Sequence, residues 1–476
     1  MVPSGKAFDA VFAVQHGVGF PDIFSANGRG PSRHENLESG REQAKRYVDW
    51  RNYNVIGYFY NVLETGRNGM KLSKMTALLA MSVAMPAAAT ELEVTHWWTS
   101  GGEAAAVAKF AEAWTAAGNT WVDGAIAGGG DTARPIMISR ILGGDPMDAF
   151  QFNHGRQAEE LIAAGLLLDL TDVAEAEGWK DIVNPPNLLD ACTVDGRIYC
   201  APVNIHSWQW MWVSHKFYED AGLPVPTNWT EFAASAPELV AQGKLPLAMG
   251  GQPWQQSGAF GVMAIAIAGN DAWLAVNRDK DEAVAAGPEY TAVFEAAALA
   301  REWSRGSNVQ DWNQATNLVI TGAAGAQIMG DWAQGEFALA GQVAGEDYSC
   351  LPGLGMNAVL DAGGDAFFFP AQDDPEVTAA QKELAAMLLS PPVQVSFNAA
   401  KGSLPIRGDV DLGAVNECTR IGLDLLASGN VLPAGTVLLT PDTVQLTNDL
   451  MTEFWATDMT AADAQARYVE IIAAAN

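Results

Sequence analysis

Basic residues are scarce in this chain: 27 Lys and Arg stand against 56 Asp and Glu, for a formal charge of −29 over 476 residues. So acidic a balance excludes a nucleic-acid footprint, which needs a basic stripe to displace counterions. It also suits a protein that must not adhere to anionic membranes. Histidine is scarcer still, six in all, with no pair at metal-ligand spacing. The four cysteines include no CxxC, so neither residue type builds a metal site. No GxSxG, HExxH or phosphate loop occurs, and no cofactor is implied. Long apolar runs are missing as well, and none approaches the roughly 20 residues of a membrane span.

One short apolar run has a grammar of its own. MKLSKMTALLAMSVAMPAAAT begins at Met70, with Lys71 and Lys74 ahead of an apolar stretch from Thr76 to Met85. Ala87-Ala88-Ala89 then supplies the small residues of a cleavage site, which makes 70–89 a secretory signal peptide. No cysteine follows the apolar stretch, so no lipid anchor is expected. Residues 1–69 have no clear periodicity, and their near-even balance of eight basic and seven acidic residues sets them apart from the acidic remainder of the chain. They read as an extension produced by a start assigned too early. Without residues 1–89 the chain keeps 17 basic and 49 acidic residues, a charge near −32.

All four cysteines, Cys192, Cys200, Cys350 and Cys418, come after the signal. An even count in an exported chain favours disulfides. Cys192 and Cys200 flank TVDGRIY, where a three-residue loop at Asp195 to Arg197 sets them opposite each other in a hairpin. Cys350 then pairs with Cys418 by elimination.

The 387 residues after the signal exceed one ordinary core, so two domains are expected. ELEVTHWW reads as a strand, and Val107, Phe110, Ala111 and Trp114 then recur at helical spacing. Strand-then-helix units repeat at PMDAFQF–RQAEELIAAG, at RIYCAPVNIHSWQWMWVS–HKFYEDAG and at VITGAAGAQIMGDW–AQGEFALAG. Such alternation predicts open α/β sheets whose ligands bind beyond the strands' carboxyl ends. Stretches 222–228, 243–254 and 351–355 read as loops.

HWWTSGGE, residues 96–103, poses the functional question. Adjacent strand side chains point to opposite faces, so one core stripe cannot easily use both indoles. Sixteen tryptophans in all suggest a purpose beyond packing. Indole faces match the flat C–H patches of sugars, and charged groups hydrogen-bond hydroxyls more strongly than neutral ones.

Here the sequence resembles a known family. HWWTSGGE, AGGGD, VNIHSWQWMWVS, MGGQPWQ, DWNQA, MGDWAQGEF and KGSLPIR are similar to motifs of glucose-type periplasmic sugar-binding proteins of ATP-binding cassette importers, from about residue 92 onward. The resemblance implies an α/β, two-lobed periplasmic-binding-protein fold, maltose-binding-like and of class II, whose hinge is made of crossing segments. It implies an N-terminal lobe from 90–203 plus 352–400, and a C-terminal lobe from 204–351 plus 401–476. Trp97, Trp98 and Glu103 would face the sugar, although Ser100 and Glu103 also form a capping-box pattern. Trp332 of MGDW, Asp365 of GGDAFFFP and Lys401 of KGSLPIR match further contacts. His154 stands where members carry lysine or histidine, and Trp254 and Trp312 are additional candidates. Asn204 and His206 fall near the expected lobe crossing. Where the glucose binders carry a ligand histidine near the C-terminus, this chain has Val437.

The implied partners are a sugar and the membrane permease of an importer, met by a periplasmic monomer. The competing class is a secreted glycosidase using Glu103 and Asp365, since retaining glycosidases hold two carboxylates roughly 5–5.5 Å apart. A lectin would be expected to carry repeats or an anchor. N-terminal sequencing of the exported protein is expected to start within two residues of Thr90, and a precursor beginning at Met1 would refute the assignment of residues 1–69.

Overall fold

A computed structural model describes residues 90–475. The expected signal peptide, 70–89, and residues 1–69 lie outside the described residues.

Two sheets organise the chain. The first has five strands in the order Thr120–Ala125, Glu91–His96, Ala149–Asn153, Asp365–Phe368 and Cys200–Pro202. Its first three strands are parallel and its last two antiparallel to their neighbours. Both faces are covered, as parallel strands require. Phe150, Phe152 and Phe368 pack with Met137 and Ile141 of helix Gly130–Leu142. Phe367 on the opposite face packs with Phe110 of helix Gly101–Ala116, which stacks on Phe397 of helix Pro391–Lys401. The second sheet has four strands in the order Tyr348–Pro352, Trp210–Ser214, Ala324–Ile328 and Leu245–Ala248.

The chain crosses between the sheets at 203–209, at 353–364 and again after Lys401. These crossings pair with one another. Val203 N donates to Asp365 O (2.9 Å), Ile205 and Leu404 exchange bonds of 2.8 and 3.0 Å, and His206 N donates to Gly363 O (3.2 Å). Gly364 fits this knot because a Cβ there would lie 2.3 Å from Asn204 O and 2.8 Å from His154 Nε2.

Three expectations need correction. The run Arg197–Ser214 is not one strand: it breaks after Cys200–Pro202 and resumes at Trp210–Ser214. Pro202 has no N–H to extend a ladder, and the intervening Asn204 and Ser207 are buried with side-chain partners instead. Stretch 243–254 contains the strand Leu245–Ala248 and the start of helix Pro253–Met263. Pro246 is tolerated because that strand lies at the sheet edge. The cysteine hairpin closes with two residues, Asp195 and Gly196, at φ 50° and 77°, pairing Val194 with Arg197. Asp-Gly favours this tight turn, and it places Tyr199, not Cys200, opposite Cys192.

Both expected disulfides are present, Cys192–Cys200 and Cys350–Cys418. The second joins strand Tyr348–Pro352 to helix Glu417–Ala427, anchoring the chain soon after its last crossing. Their sequence separations, 8 and 68 residues, predict unequal contributions through the unfolded chain. Replacing Cys350 and Cys418 by Ser should cost about 4 kcal/mol in urea unfolding, against roughly 2.5 kcal/mol for the Cys192/Cys200 pair. Equal losses would mean that native-state packing, not chain entropy, dominates.

Candidate functional site

The strand Glu91–His96 stops just before the paired tryptophans. Beyond it the two indoles part company. Trp98 turns inward onto Phe110, Phe367 and Phe397. Trp97 stays partly exposed, with the Arg134 guanidinium 5.7 Å from its ring centre. Arg134 is ion-paired with Asp131 at the start of the following helix.

Ser100 caps helix Gly101–Ala116 by accepting from Glu103 N, which is half of the expected capping box. The Glu103 carboxylate instead meets Lys401, with Nζ 2.9 Å from Oε1 and both side chains buried. Lys401 ends helix Pro391–Lys401, and its ammonium lies 5.8 Å from the rings of both Trp98 and Trp332. The same helix start reaches toward the second sheet. Gly102 N donates to Glu336 Oε1 at 2.8 Å, and a Cβ on Gly102 would lie 2.8 Å from the Gly335 backbone. Glycine is required at that approach.

Asp365 opens a strand beside the crossings. Its carboxylate is buried and accepts from Gln151 Nε2 (2.8 Å), Asn204 Nδ2 (3.0 Å) and Asn153 Nδ2 (3.5 Å). His206 Nδ1 completes the set at 3.1 Å. Burial alone would raise the Asp365 pKa, but the facing His206, helped by Lys401 and Asn204, outweighs it and holds the carboxylate below its ordinary range. The His206 ring gains reciprocally: burial disfavours its charge, yet Asp365 raises its pKa. Gln151 also accepts from Trp97 N (3.1 Å), tying the Asp365 cluster to the indole at the strand end.

Two further carboxylates hold the turn at Ser207 and Trp208. Asp331 accepts from Ser207 N (2.9 Å), while Asp361 accepts from Ser207 Oγ (2.6 Å) and Trp208 N (2.8 Å). Trp208 thereby stands edge-to-face against Trp332, with centroids 4.9 Å apart, and against Trp254 at 5.5 Å. Trp312 begins a helix and donates its backbone N–H to Gln252 Oε1 (3.1 Å).

These groups border one cleft of about 510 Å³, within the roughly 300–1,000 Å³ typical of small-molecule sites. Trp97, Trp98, Glu103, Trp254, Trp312, Trp332, Asp365 and Lys401 all line it. His154 does not: it is buried behind Gly364, neither ring nitrogen has a hydrogen-bond partner, and burial pushes its pKa down to about 4. Sequence reasoning missed Trp208, Arg134 and Asp331 as lining or positioning groups. Trp208 was legible only as the first of the alternating Trp208, Trp210 and Trp212. Asp331 sits beside Trp332 inside MGDWAQGEF, where the tryptophan is the stronger signal, and Arg134 lies just past AGGGD with no signal of its own. Among the described residues no group of acidic, histidine or cysteine side chains is arranged to hold a metal, and no helix is long and apolar enough to cross a membrane.

A cleft bordered by tryptophans and buried ion pairs, between two α/β sheets joined by crossing segments, defines a two-lobed solute receptor of the maltose-binding type. The chain belongs to the bacterial extracellular solute-binding protein family, whose model matches residues 98–395. It is 36% identical to a probable sugar-binding periplasmic protein of Rhizobium meliloti (strain 1021), over 76% of this chain and 87% of that one. Its fold matches the bacterial solute receptor AcbH with a TM-score of 0.66 at 19% identity, covering 80% of this chain and 98% of that one. It also matches maltose-bound T. maritima MalE3 with a TM-score of 0.61 at 18% identity, over 81% and 99%.

Asp331 offers a test of the turn. Its second carboxylate oxygen has no partner, and burial pushes its pKa up to about 7 against the opposing pull of His206. Between about pH 4 and pH 7 the unfolded chain therefore releases a proton that the folded chain keeps, so this group's contribution to stability falls as pH rises. Asp331→Asn is expected to gain stability relative to the parent across that window, read by urea unfolding at pH 4.5, 6 and 8. A difference independent of pH would refute the assignment.

Proposed function

We propose that the protein is an extracytoplasmic receptor that captures a sugar between its two lobes and delivers it to the membrane permease of an ATP-binding cassette importer. The observation that carries this reading is the convergence of indole faces with paired, buried charges in one cleft. Trp97, Trp254 and Trp332 supply apolar walls, while Glu103–Lys401 and Asp365–His206 offer charged hydrogen-bonding partners already fixed in place. Preorganised partners of that kind suit hydroxyl recognition, because little ordering remains to be done on binding. Relatives described as probable sugar-binding periplasmic proteins support the ligand class and a periplasmic location. AcbH is described as preferring b-D-galactopyranose exclusively, and MalE3 holds maltose, so the fold accepts more than one sugar. Trp97, Trp98, Glu103, Trp254, Trp312, Trp332, Asp365 and Lys401 are proposed as the ligand shell, with His154 a packed support beneath Asp365. The lobes are proposed to divide between 90–203 plus 352–400 and 204–351 plus 401–476, and the receptor to act as a monomer.

Glucose itself is not favoured. Val437 stands where the resemblance places a ligand histidine, and it packs against Gly155 rather than lining the cleft. A glycosidase reading is weaker on chemical grounds. Both of its carboxylates are already committed, Asp365 to Gln151, Asn204 and His206 and Glu103 to Lys401.

A thermal-shift screen of residues 90–476 against monosaccharides, disaccharides and sugar alcohols tests the proposal. A ligand at a thousand times its Kd stabilises the native state by about 4 kcal/mol, so one sugar should raise Tm clearly without being consumed. Trp97→Ala should weaken that sugar at least tenfold in calorimetry with an unchanged circular dichroism spectrum. A lowered Tm with unchanged affinity would make Trp97 a packing residue, and turnover of an aryl glycoside would replace the receptor by an enzyme.

A further inference from the structure

The cleft does not end at its charged groups. Trp208 rests on Gly258, where an added Cβ would come within 2.2 Å of its ring. Past that contact the lining passes to Phe260, Val262, Ile265, Trp273, Leu439 and Val444. These come from helix Pro253–Met263, the π-helical turn Ala264–Ala268, helix Asn270–Asn277 and the segment entering helix Pro441–Ala456. No charged side chain from these elements reaches the lining. Of the polar groups nearby, Asn277 donates to Trp273 O (2.9 Å) and Thr447 to Thr443 O (2.9 Å), while the Asn448 amide and the Tyr468 hydroxyl also border the space.

The space is unfilled. Gly261 lies one turn beyond Gly258 on the same helix, and a Cβ there would meet nothing within 4 Å. Gly261 itself is partly exposed toward the cleft, while its neighbours are interior: Phe260 is 3% exposed, Val262 0%, Ile265 2% and Trp273 5%. Protein interiors are normally close-packed, so an apolar void opening onto a polar cleft is a place for ligand atoms. A second sugar ring would find only Asn448 and Tyr468 to bond there, and its remaining hydroxyls would be buried at the cost of their desolvation. A π-helical turn at its edge is a feature that recurs at functional sites.

We propose that this annex receives an apolar aglycone, so that the protein binds an alkyl or aryl glycoside with the sugar among the charged residues and the aglycone beside Gly261. The proposal rests on the sugar-binding reading for the polar half of the cleft only. Gly261 is helical with no positive φ, so Gly261→Leu fills the annex without backbone strain and improves helix propensity. The probes are methyl, n-hexyl and phenyl glycosides of glucose, galactose, mannose and xylose, with cellobiose and maltose as disaccharides, measured by calorimetry on residues 90–476.

Each buried methylene is worth about fourfold in affinity. The n-hexyl glycoside of the preferred sugar is therefore expected to bind at least tenfold tighter than its methyl glycoside. Gly261→Leu should abolish that advantage while leaving the methyl glycoside unchanged. Equal affinity for hexyl and methyl glycosides, tighter binding of a disaccharide, or an advantage that survives Gly261→Leu would overturn the proposal. If no glycoside binds at all, the sugar reading falls, and n-hexanol titrated against the protein's amide NMR spectrum decides the annex separately. Shifts around Ile265 and Trp273 that vanish in Gly261→Leu support it, and their absence in the parent overturns it. Should Gly261→Leu not fold, Gly261→Val is the substitute.

Discussion

The arrangement depends on keeping one carboxylate ionised out of water. Asp365 is 1% exposed, and a buried charge is tolerated only when it is paired and hydrogen-bonded. Its partners come from two different parts of the chain: Gln151 and Asn153 from a strand of the first sheet, Asn204 and His206 from the first crossing. Each carboxylate oxygen has its partners from one of the two parts: Gln151 and Asn153 meet Oδ1, while Asn204 and His206 meet Oδ2. The crossing backbones are consequently held in register by side chains as well as by their own ladder bonds, and the hinge inherits the rigidity of an ion pair.

A similar logic governs the other charges. Glu103 and Lys401 stand on two helices that pack side by side, so their meeting is decided by helix packing before any ligand arrives. A buried pair of this kind is weak evidence for stability, since well-packed apolar residues often do as well. What it provides is a donor and an acceptor already stripped of water at the base of a cleft. Asp331 and Asp361 serve differently. They sit on the Ser207–Trp208 turn, and burial raises the pKa of each. They act as clamps on backbone and hydroxyl donors, with the position of Trp208 as the result.

Much of this was legible in the residues. The alternation of strands and helices announced α/β sheets, and the paired tryptophans at a strand end pointed to the cleft they border. What escaped was non-local. Residues 243–254 looked like a loop because Pro and Gly dominate, yet Leu245–Ala248 forms an edge strand through its parallel partner Ala324–Ile328. The run Arg197–Ser214 looked like one strand because its apolar content hides a crossing whose polar groups find partners far away in sequence. Trp97 and Trp98 could not be told apart from sequence, because the chain leaves its sheet between His96 and Trp98 and alternation no longer applies. Likewise, Arg134 became a cleft residue only by folding back over Trp97, and the void beside Gly261 depends on how helices remote in sequence pack.

The hinge and the proposed binding groups share atoms, and this has a mechanical consequence. A ligand shifts a conformational equilibrium only by its differential affinity for the two states. Here His206 lies on a crossing segment, bonds Asp365 from one side and packs edge-on to Trp332, at 5.1 Å, from the other. Any rotation of one lobe about the crossings must therefore displace His206 relative to either Asp365 or Trp332. Under the proposed function, a ligand that touched both would sense the hinge angle through a contact only one residue long. Coupling between occupancy and lobe position then needs no extended pathway through the protein. The proposed receptor could set it by the geometry of a single imidazole held between a carboxylate and an indole.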